Sequence, residues 1–328
     1  MTRHHHQRNS NRAVLAEISA DLNLPLTSGV IGSFGLNRRT LMTQHTSMLH
    51  PSPALKAQLS KVPEVTLYFW IIKVLCTTVG ETFADFLNTK LGDNLTRTTL
   101  VMGSILIVSL VVQFKVPEYI PAVYWVTVVL LSVVGTLITD NMVEHFNVSL
   151  ATSTIVFSIL MLASFGIWYA SEKTLSIHSI HSAKREAFYW TAILFTFALG
   201  TAAGDLIAEK YNLGYGKSVV LFAGLIALIA LAHWKFRLNA ILAFWAAYVL
   251  TRPLGASIGD LLSQPRQIAE DADPGTGKGF GLGTTTTSLI FLTAILAVVI
   301  VMTMQQRRQP VLIDEDDDYG RIVEPAGR

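Results

Sequence analysis

Long apolar stretches separated by short polar connections make up the chain from residue 62 onward. A helix that crosses a bilayer needs about 20 mostly apolar residues, and two of the stretches are slightly short, which helix tilt can accommodate. The eight stretches are residues 64–87, 98–114, 120–142, 150–170, 187–208, 217–234, 239–262 and 285–304. Because a helix satisfies its own backbone in lipid, the pattern predicts an all-α integral membrane protein with about eight transmembrane helices.

Both ends of the chain are polar. Residues 1–60 hold no long apolar run, and their composition is typical of a flexible tail. Residues 306–328 contain an unbroken acidic run, Asp314 to Asp318, which indicates a second solvated tail. The transmembrane domain is therefore predicted over residues 62–305.

Composition and charge support a lipid environment. The chain is 51% hydrophobic and 15% charged, whereas soluble domains are about 25% charged. The net charge of +2 is segregated along the chain, so we expect the lipid bilayer and no nucleic acid as a partner. The single cysteine, Cys76, excludes an internal disulfide.

Basic residues predict the orientation. The tails and the connections on their side of the membrane hold 17 of the 25 Lys and Arg residues, and the opposite connections hold six. The positive-inside rule then places both termini in the cytoplasm.

Four segments share the pattern W-x9-G-x4-D, which indicates a tandem repeat. They begin at Trp70, Trp125, Trp190 and Trp245, reach Gly80, Gly135, Gly200 and Gly255, and end at Asp85, Asp140, Asp205 and Asp260. Each repeat contains two predicted helices, at about 62–114, 117–170, 185–235 and 238–305. All four repeats therefore have one orientation, as in parallel repeats about an axis along the membrane normal.

Each element of the pattern has a physical interpretation. The Trp ring suits the cytoplasmic interface, and the Asp follows after 15 residues, about 22 Å along a helix. Each Gly is followed four residues later by a small residue, a spacing that lets helices approach closely. We expect the odd-numbered helices to pack tightly near the carboxylates.

The repeated aspartates are the candidate functional residues. A carboxylate within a membrane usually faces a cavity or a partner and marks an ion path. Glu81 lies one turn before Asp85 and supports the same face. Lys73 and Arg252, also at span depth, are predicted to balance the charge.

A four-fold arrangement brings Asp85, Asp140, Asp205 and Asp260 toward one axis, and rings of carboxylates select cations. A divalent metal such as Mg²⁺ or Mn²⁺ suits these ligands, so the four aspartates are a hypothetical metal site. Grouped carboxylates are equally compatible with proton coupling. The alternative is that each aspartate caps a helix end or bonds a neighbouring helix.

No enzyme motif is evident. The glycine-rich segment 273–279 departs from a phosphate-binding loop, since Ala272 and Gly279 replace required residues. No nucleophile triad or zinc-protease pattern occurs, so we expect no catalytic residues and no cofactor.

The four repeats, together with the runs Lys61–Glu64 and Phe69–Lys73, resemble a bacterial family of uncharacterised membrane-anchored proteins with four tandem two-helix repeats, each with a characteristic Trp. The resemblance covers about residues 62–305. It implies this architecture and a place in the bacterial inner membrane, and it implies no substrate.

Two functions remain open. The first is membrane transport of a small cation, divalent metal or proton-coupled, through a site lined by the repeat aspartates. The second is a non-transporting membrane scaffold or regulator. An acidic cluster open to water favours transport, whereas aspartates that are each bound by a local partner favour the scaffold. The sequence indicates neither the ion nor the oligomeric state.

Overall fold

The computed structural model describes residues 60–266 and 278–308. The tails predicted over 1–60 and 306–328 lie almost wholly outside the described residues, as does most of the glycine-rich segment 273–279. Within the described ranges, every long element is a helix and eight helices are long and apolar enough to cross a membrane, which confirms the predicted fold class.

The eight helices alternate between two roles, as inner and outer helices. The inner helices are α1 (Leu67–Lys90), α3 (Pro121–Asp140), α5 (Ala183–Asp205) and α7 (Ala240–Ser263). The outer helices are α2 (Leu95–Lys115), α4 (Leu150–Glu172), α6 (Tyr215–Phe236) and α8 (Thr284–Arg308). A π-helical turn extends α3 over Asn141–His145 and α5 over Leu206–Lys210.

Local sequence accounts for most helix starts. Thr66, Asn94, Ser149 and Ser182 each cap a helix by accepting a hydrogen bond from a backbone N–H in the first turn, a role that suits short polar side chains. Helix α3 begins without a side-chain cap but with Pro121 in its first turn, where the missing N–H costs nothing.

The inner helices form a closed ring in which each repeat contacts the next. Each repeat glycine packs against the residue three positions before the next repeat's glycine. The pairs are Gly80 with Ser132, Gly135 with Phe197, Gly200 with Arg252 and, closing the ring, Gly255 with Thr77. A side chain at any of these glycines would overlap its neighbour. The predicted tight packing of the odd-numbered helices is therefore confirmed.

A second set of contacts between neighbouring repeats, formed by aromatic side chains, lies at the N-terminal ends of the inner helices; we call it the aromatic layer. The residue before each repeat Trp contacts the Trp of the next repeat: Phe69 with Trp125, Tyr124 with Trp190, Tyr189 with Trp245 and Phe244 with Trp70. Trp125, Trp190 and Trp245 are buried. The interpretation of the tryptophans as rings anchored at the lipid interface was therefore wrong for these three, because they pack within the protein.

Each outer helix packs on the inner helix of the following repeat. Thus α2 covers α3, α4 covers α5, α6 covers α7, and α8 returns to cover α1. A hydrogen bond from Ser288 of α8 to Thr82 of α1 spans 2.9 Å at this last interface. The outer helices are mostly exposed and the inner ones mostly buried, as expected when the outer layer faces lipid.

Candidate functional site

The four repeat aspartates lie at one end of the ring. Each follows its glycine by five residues, about 7.5 Å along the helix, so the glycine contacts place all four at a similar level. Asp85, Asp140, Asp205 and Asp260 each interact electrostatically with Glu81 and with at least one other aspartate. Asp260 is buried and the other three are half-buried. The ring therefore brings the predicted acids together.

Two further carboxylates join this group from the π-helical turns. Glu144 and Glu209 each follow a repeat aspartate by four residues, and both interact electrostatically with Asp85. Tyr215 of α6 donates a 2.9 Å hydrogen bond to Glu209. We refer to these seven residues as the acidic cluster: Glu81, Asp85, Asp140, Glu144, Asp205, Glu209 and Asp260.

Arg252 lies across the ring and joins all four inner helices. Its Nη2 donates to Glu81 Oε2 at 2.9 Å, to Thr201 Oγ1 at 2.7 Å and to Thr136 Oγ1, and its Nη1 donates to the Thr77 carbonyl at 3.2 Å. The arginine side chain is fully buried. One guanidinium thus ties α7 to α1, α3 and α5.

The two threonines that bind Arg252 were missed in the sequence interpretation, although a signal was present. Thr136 and Thr201 directly follow their repeat glycines, as Glu81 follows Gly80, so this position is polar in three repeats out of four. The residue after the glycine is therefore a further position of the repeat pattern, and three of the four repeats use it to contact Arg252. Thr136 also contacts the Gly80 carbonyl at 3.3 Å, next to Glu81.

Lys73 lies apart from the acids. Its Nζ lies 4.2 Å from the ring centroid of Phe197 and 4.1 Å from that of Tyr248. The side chain is fully buried, and no described residue accepts a hydrogen bond from the ammonium. Aromatic rings therefore surround its amino group, and of the two residues predicted to balance the charge, Arg252 is the one that contacts a carboxylate within the described residues.

No hydrogen-bond partner for the four repeat aspartates lies among the described residues. None of the four carboxyl groups accepts a hydrogen bond from a residue within the described ranges. Glu81 is the one member of the acidic cluster with a salt bridge there, to Arg252. Buried carboxylates in structural roles are normally hydrogen-bonded, so this arrangement differs from four separately bound acids.

The acidic cluster does not have the geometry of an assembled metal site. Across residues 60–266 and 278–308, no three His, Cys, Asp or Glu side chains lie close enough together to hold one metal ion. Shared coordination of a metal by Asp85, Asp140, Asp205 and Asp260 stays a prediction.

The ring is closed between the acidic cluster and the opposite membrane face. From Arg252 towards the Trp-bearing ends of the inner helices, the next side chains are Lys73 and the two aromatic rings that it contacts. The aromatic layer follows, in which the hydroxyls of Tyr124 and Tyr189 share a hydrogen bond. A further buried pair, Lys61 and Glu186 at 2.8 Å, lies at that end of the ring. The acidic cluster is therefore more accessible from its own end, where Glu144 is exposed.

Comparison with known sequences identifies the repeat. A family model described as Repeat of Unknown Function (DUF347) matches residues 68–119, 123–174, 188–239 and 243–308. Each match contains one inner and one outer helix. No curated protein and no solved structure matches the chain.

Proposed function

The chain belongs to the DUF347 repeat family, and from the ring that its four repeats form we propose that it transports a small cation across the membrane. Asp85, Asp140, Asp205 and Asp260, supported by Glu81, are the proposed ion-binding residues. Arg252 balances part of their charge and fixes the position of Glu81. No catalytic residue and no cofactor enters this proposal.

The observation that carries the proposal is the charge imbalance of the acidic cluster. Seven carboxyl groups lie at one end of a membrane-embedded ring, and within the described ranges one guanidinium, that of Arg252, forms a salt bridge with one of them, Glu81. Uncompensated carboxylates in low-dielectric surroundings are costly. Bound cations or protons supply the missing charge, and a group that exchanges such ions with water is the core of an ion-transport site.

The same contacts weigh against the scaffold. Aspartates that join helices by hydrogen bonds would have donors on neighbouring helices, and here the interhelical bonds come from threonines and Arg252. The repeat aspartates accept none from the described residues. Their lack of partners is therefore better explained by a mobile ligand.

The closed aromatic side favours a carrier over an open pore. An ion at the acidic cluster meets the Arg252 guanidinium, then the buried Lys73 side chain, before it reaches the aromatic layer. Passage requires these helices to rearrange. The basic residues favour a bacterial inner membrane protein with both termini in the cytoplasm. The inner helices then begin at the cytoplasmic side, and the acidic cluster at their far ends opens to the extracytoplasmic side.

Flux into proteoliposomes tests the proposal. Purified protein is reconstituted, and uptake of H⁺, Mg²⁺ and Mn²⁺ is followed with trapped fluorescent indicators. We expect flux of at least one ion above that of protein-free vesicles, and we expect Asp140→Asn and Asp205→Asn to reduce it at least about tenfold, because an ion ligand is lost.

The matched control is Asp93→Asn, which removes an exposed carboxylate from the α1–α2 connection without changing the acidic cluster. Its flux should equal that of the wild type. Thermal unfolding in detergent separates the alternatives: if Asp205→Asn lowers stability and no tested ion is transported by the wild-type protein, the scaffold is the better account.

A further inference from the structure

A cavity of about 530 Å³ lies on the side of the ring, at the Trp-bearing ends of the inner helices. It is bounded by the start of α1, the end of α6, the start of α7 and residues 175–178. Apolar side chains form most of its wall, among them Leu67, Ile226, Ile229, Ile241, Ala243 and Phe244. Its volume is within the range of about 300–1,000 Å³ that small-molecule sites occupy.

The repeat tryptophan at the cavity differs from the other three in its hydrogen bonding. Three repeat tryptophans donate an indole hydrogen bond inside the protein: Trp125 to Tyr119 at 3.0 Å, Trp190 to Glu186 at 3.4 Å and Trp245 to the Leu175 carbonyl at 2.9 Å. Trp70 lines the cavity, and no described residue accepts a bond from its indole N–H. The fourth tryptophan is therefore the one that can donate to a ligand.

Polar groups are concentrated where the cavity meets the membrane interface. His178 and His233 line it, with Ser176 beside them, and both histidines are exposed. The His233 Nδ1 contacts the Leu238 carbonyl at 2.8 Å, which leaves its Nε2 for another partner. With Nδ1 donating to that carbonyl, Nε2 donates only when the ring is an imidazolium, a cation for which a phosphate oxygen is a suitable acceptor.

Basic residues lie close in the chain to the two lining histidines. Lys173 ends α4, and Lys235 and Arg237 end α6, within a few residues of the lining histidines. Glu172 is already bound by Lys184 at 3.1 Å and Arg185 at 2.7 Å, and Glu64 lies next to the lining residue Val65. The balance is positive, and basic pockets between transmembrane helices bind the headgroups of anionic lipids.

We propose that this cavity is a binding site for one anionic phospholipid. An acyl chain lies against the apolar wall between α1, α6 and α7, and the phosphate contacts His178 and His233 at the interface. The occupant is a lipid because Leu67, which forms part of the apolar wall, is also 73% exposed, so the wall continues onto the outer surface of a helix that is apolar enough to cross a membrane. The site is separate from the acidic cluster, so it does not depend on ion transport.

Lipid binding is measured by native mass spectrometry and by thermal unfolding with added phosphatidylglycerol or phosphatidylcholine. We expect the wild-type protein to retain one phosphatidylglycerol and to unfold at a higher temperature with it than with phosphatidylcholine. Ala243→Phe fills the cavity and should weaken retention at least about tenfold, or 1.4 kcal/mol. The control Leu228→Phe enlarges an exposed residue on α6 and should retain lipid as the wild type does.

The histidines separate headgroup recognition from chain binding. His178→Ala combined with His233→Ala leaves the apolar wall intact, so it should abolish the preference for phosphatidylglycerol while some lipid is still retained. Because both histidines are exposed, this variant stays testable if Ala243→Phe does not fold. Equal retention of both lipids by the wild type, or unchanged preference in the double variant, would overturn the proposal.

Discussion

At the scale of single residues, the ring depends on a buried cation that has more than one partner. Arg252 contacts Glu81, Thr136 and Thr201 with one nitrogen and the Thr77 carbonyl with the other. A lone buried guanidinium would be costly, and removal of either partner of a buried pair leaves an uncompensated charge. Arg252 and Glu81 should therefore be interdependent.

Replacing Arg252 alone should destabilise the protein more than replacing the pair. We expect Arg252→Met to lower the free energy of unfolding by about 3–5 kcal/mol, because Glu81 is left buried without its ion pair. Glu81→Gln with Arg252→Met should recover most of that loss. Chemical unfolding in detergent micelles, followed by circular dichroism, measures both.

Lys184→Met is the exposed counterpart. Lys184 also pairs with a glutamate, at 3.1 Å, but its side chain is 63% exposed, so its loss should leave the free energy of unfolding almost unchanged. The interdependence fails if the double replacement is as unstable as Arg252→Met alone.

The residue identities at the site were only partly predictable. The aspartates and Arg252 are visible in the sequence because charge is rare in apolar helices. Which acid Arg252 contacts is decided by helix rotation around the ring, and the sequence pattern does not specify it. Lys73 shows the same limit: its depth could be predicted, whereas its position over Phe197 and Tyr248 depends on two other repeats.

At the scale of helices, the inner helices pack closely because each repeat glycine lacks a side chain. A Cβ at Gly135 would lie 2.8 Å from the Phe197 Cβ and 3.2 Å from the Ala198 backbone nitrogen, and α5 would have to move to accommodate it. The small-residue spacing predicted such contacts. An aromatic residue precedes the Trp in all four repeats. If this position had been included in the repeat pattern, the aromatic layer could have been predicted.

Alanine at two helical glycines should have opposite effects. Gly135→Ala should destabilise the protein by about 1–3 kcal/mol through overpacking. Gly103 lies on the outer helix α2, where a Cβ would have no neighbouring atom within 4 Å, so Gly103→Ala should be neutral or stabilising by about 0.5–1 kcal/mol through helix propensity. Melting temperatures in detergent compare them, and equal shifts for the two variants would mean that the inner contact is not tight.

Helix ends were less predictable than helix centres. The apolar runs predict spans that stop at 142 and 208, whereas the helices continue through π-helical turns to 145 and 210. These turns hold Glu144 and Glu209, polar residues that a hydropathy criterion assigns to a connection. π-Helical turns often occur at functional sites, and here they complete the acidic cluster.

At the scale of the whole molecule, the outer helix of each repeat packs on the inner helix of the next repeat, and these contacts stabilise the ring. Sequential helices usually pack as neighbours, which would pair α1 with α2. The structure instead places α2 on α3 and α8 on α1, so each repeat is completed by the one before it. The number and orientation of the repeats were predicted from sequence, but their partners were not, because all four repeats have similar apolar faces.

Cysteine cross-linking tests this closure. In a Cys76→Ala background, Thr82→Cys with Ser288→Cys should form an intramolecular disulfide, since the native hydroxyls are 2.9 Å apart. Thr82→Cys with Ser104→Cys, which would report pairing of α1 with α2, should not. A shift on non-reducing gels detects the bond. Cross-linking of the second pair alone would contradict the proposed closure.

The central claim is that the repeat carboxylates act as one shared ion site. Infrared difference spectroscopy of the purified protein, with and without a transported cation, reports carboxylate bands directly. A shared site predicts that Asp85→Asn, Asp140→Asn, Asp205→Asn or Asp260→Asn each removes most of the cation-induced signal. Four independent sites would behave additively, so the loss of about one quarter of the signal per replacement, or no cation-induced signal in the wild-type protein, would contradict the account.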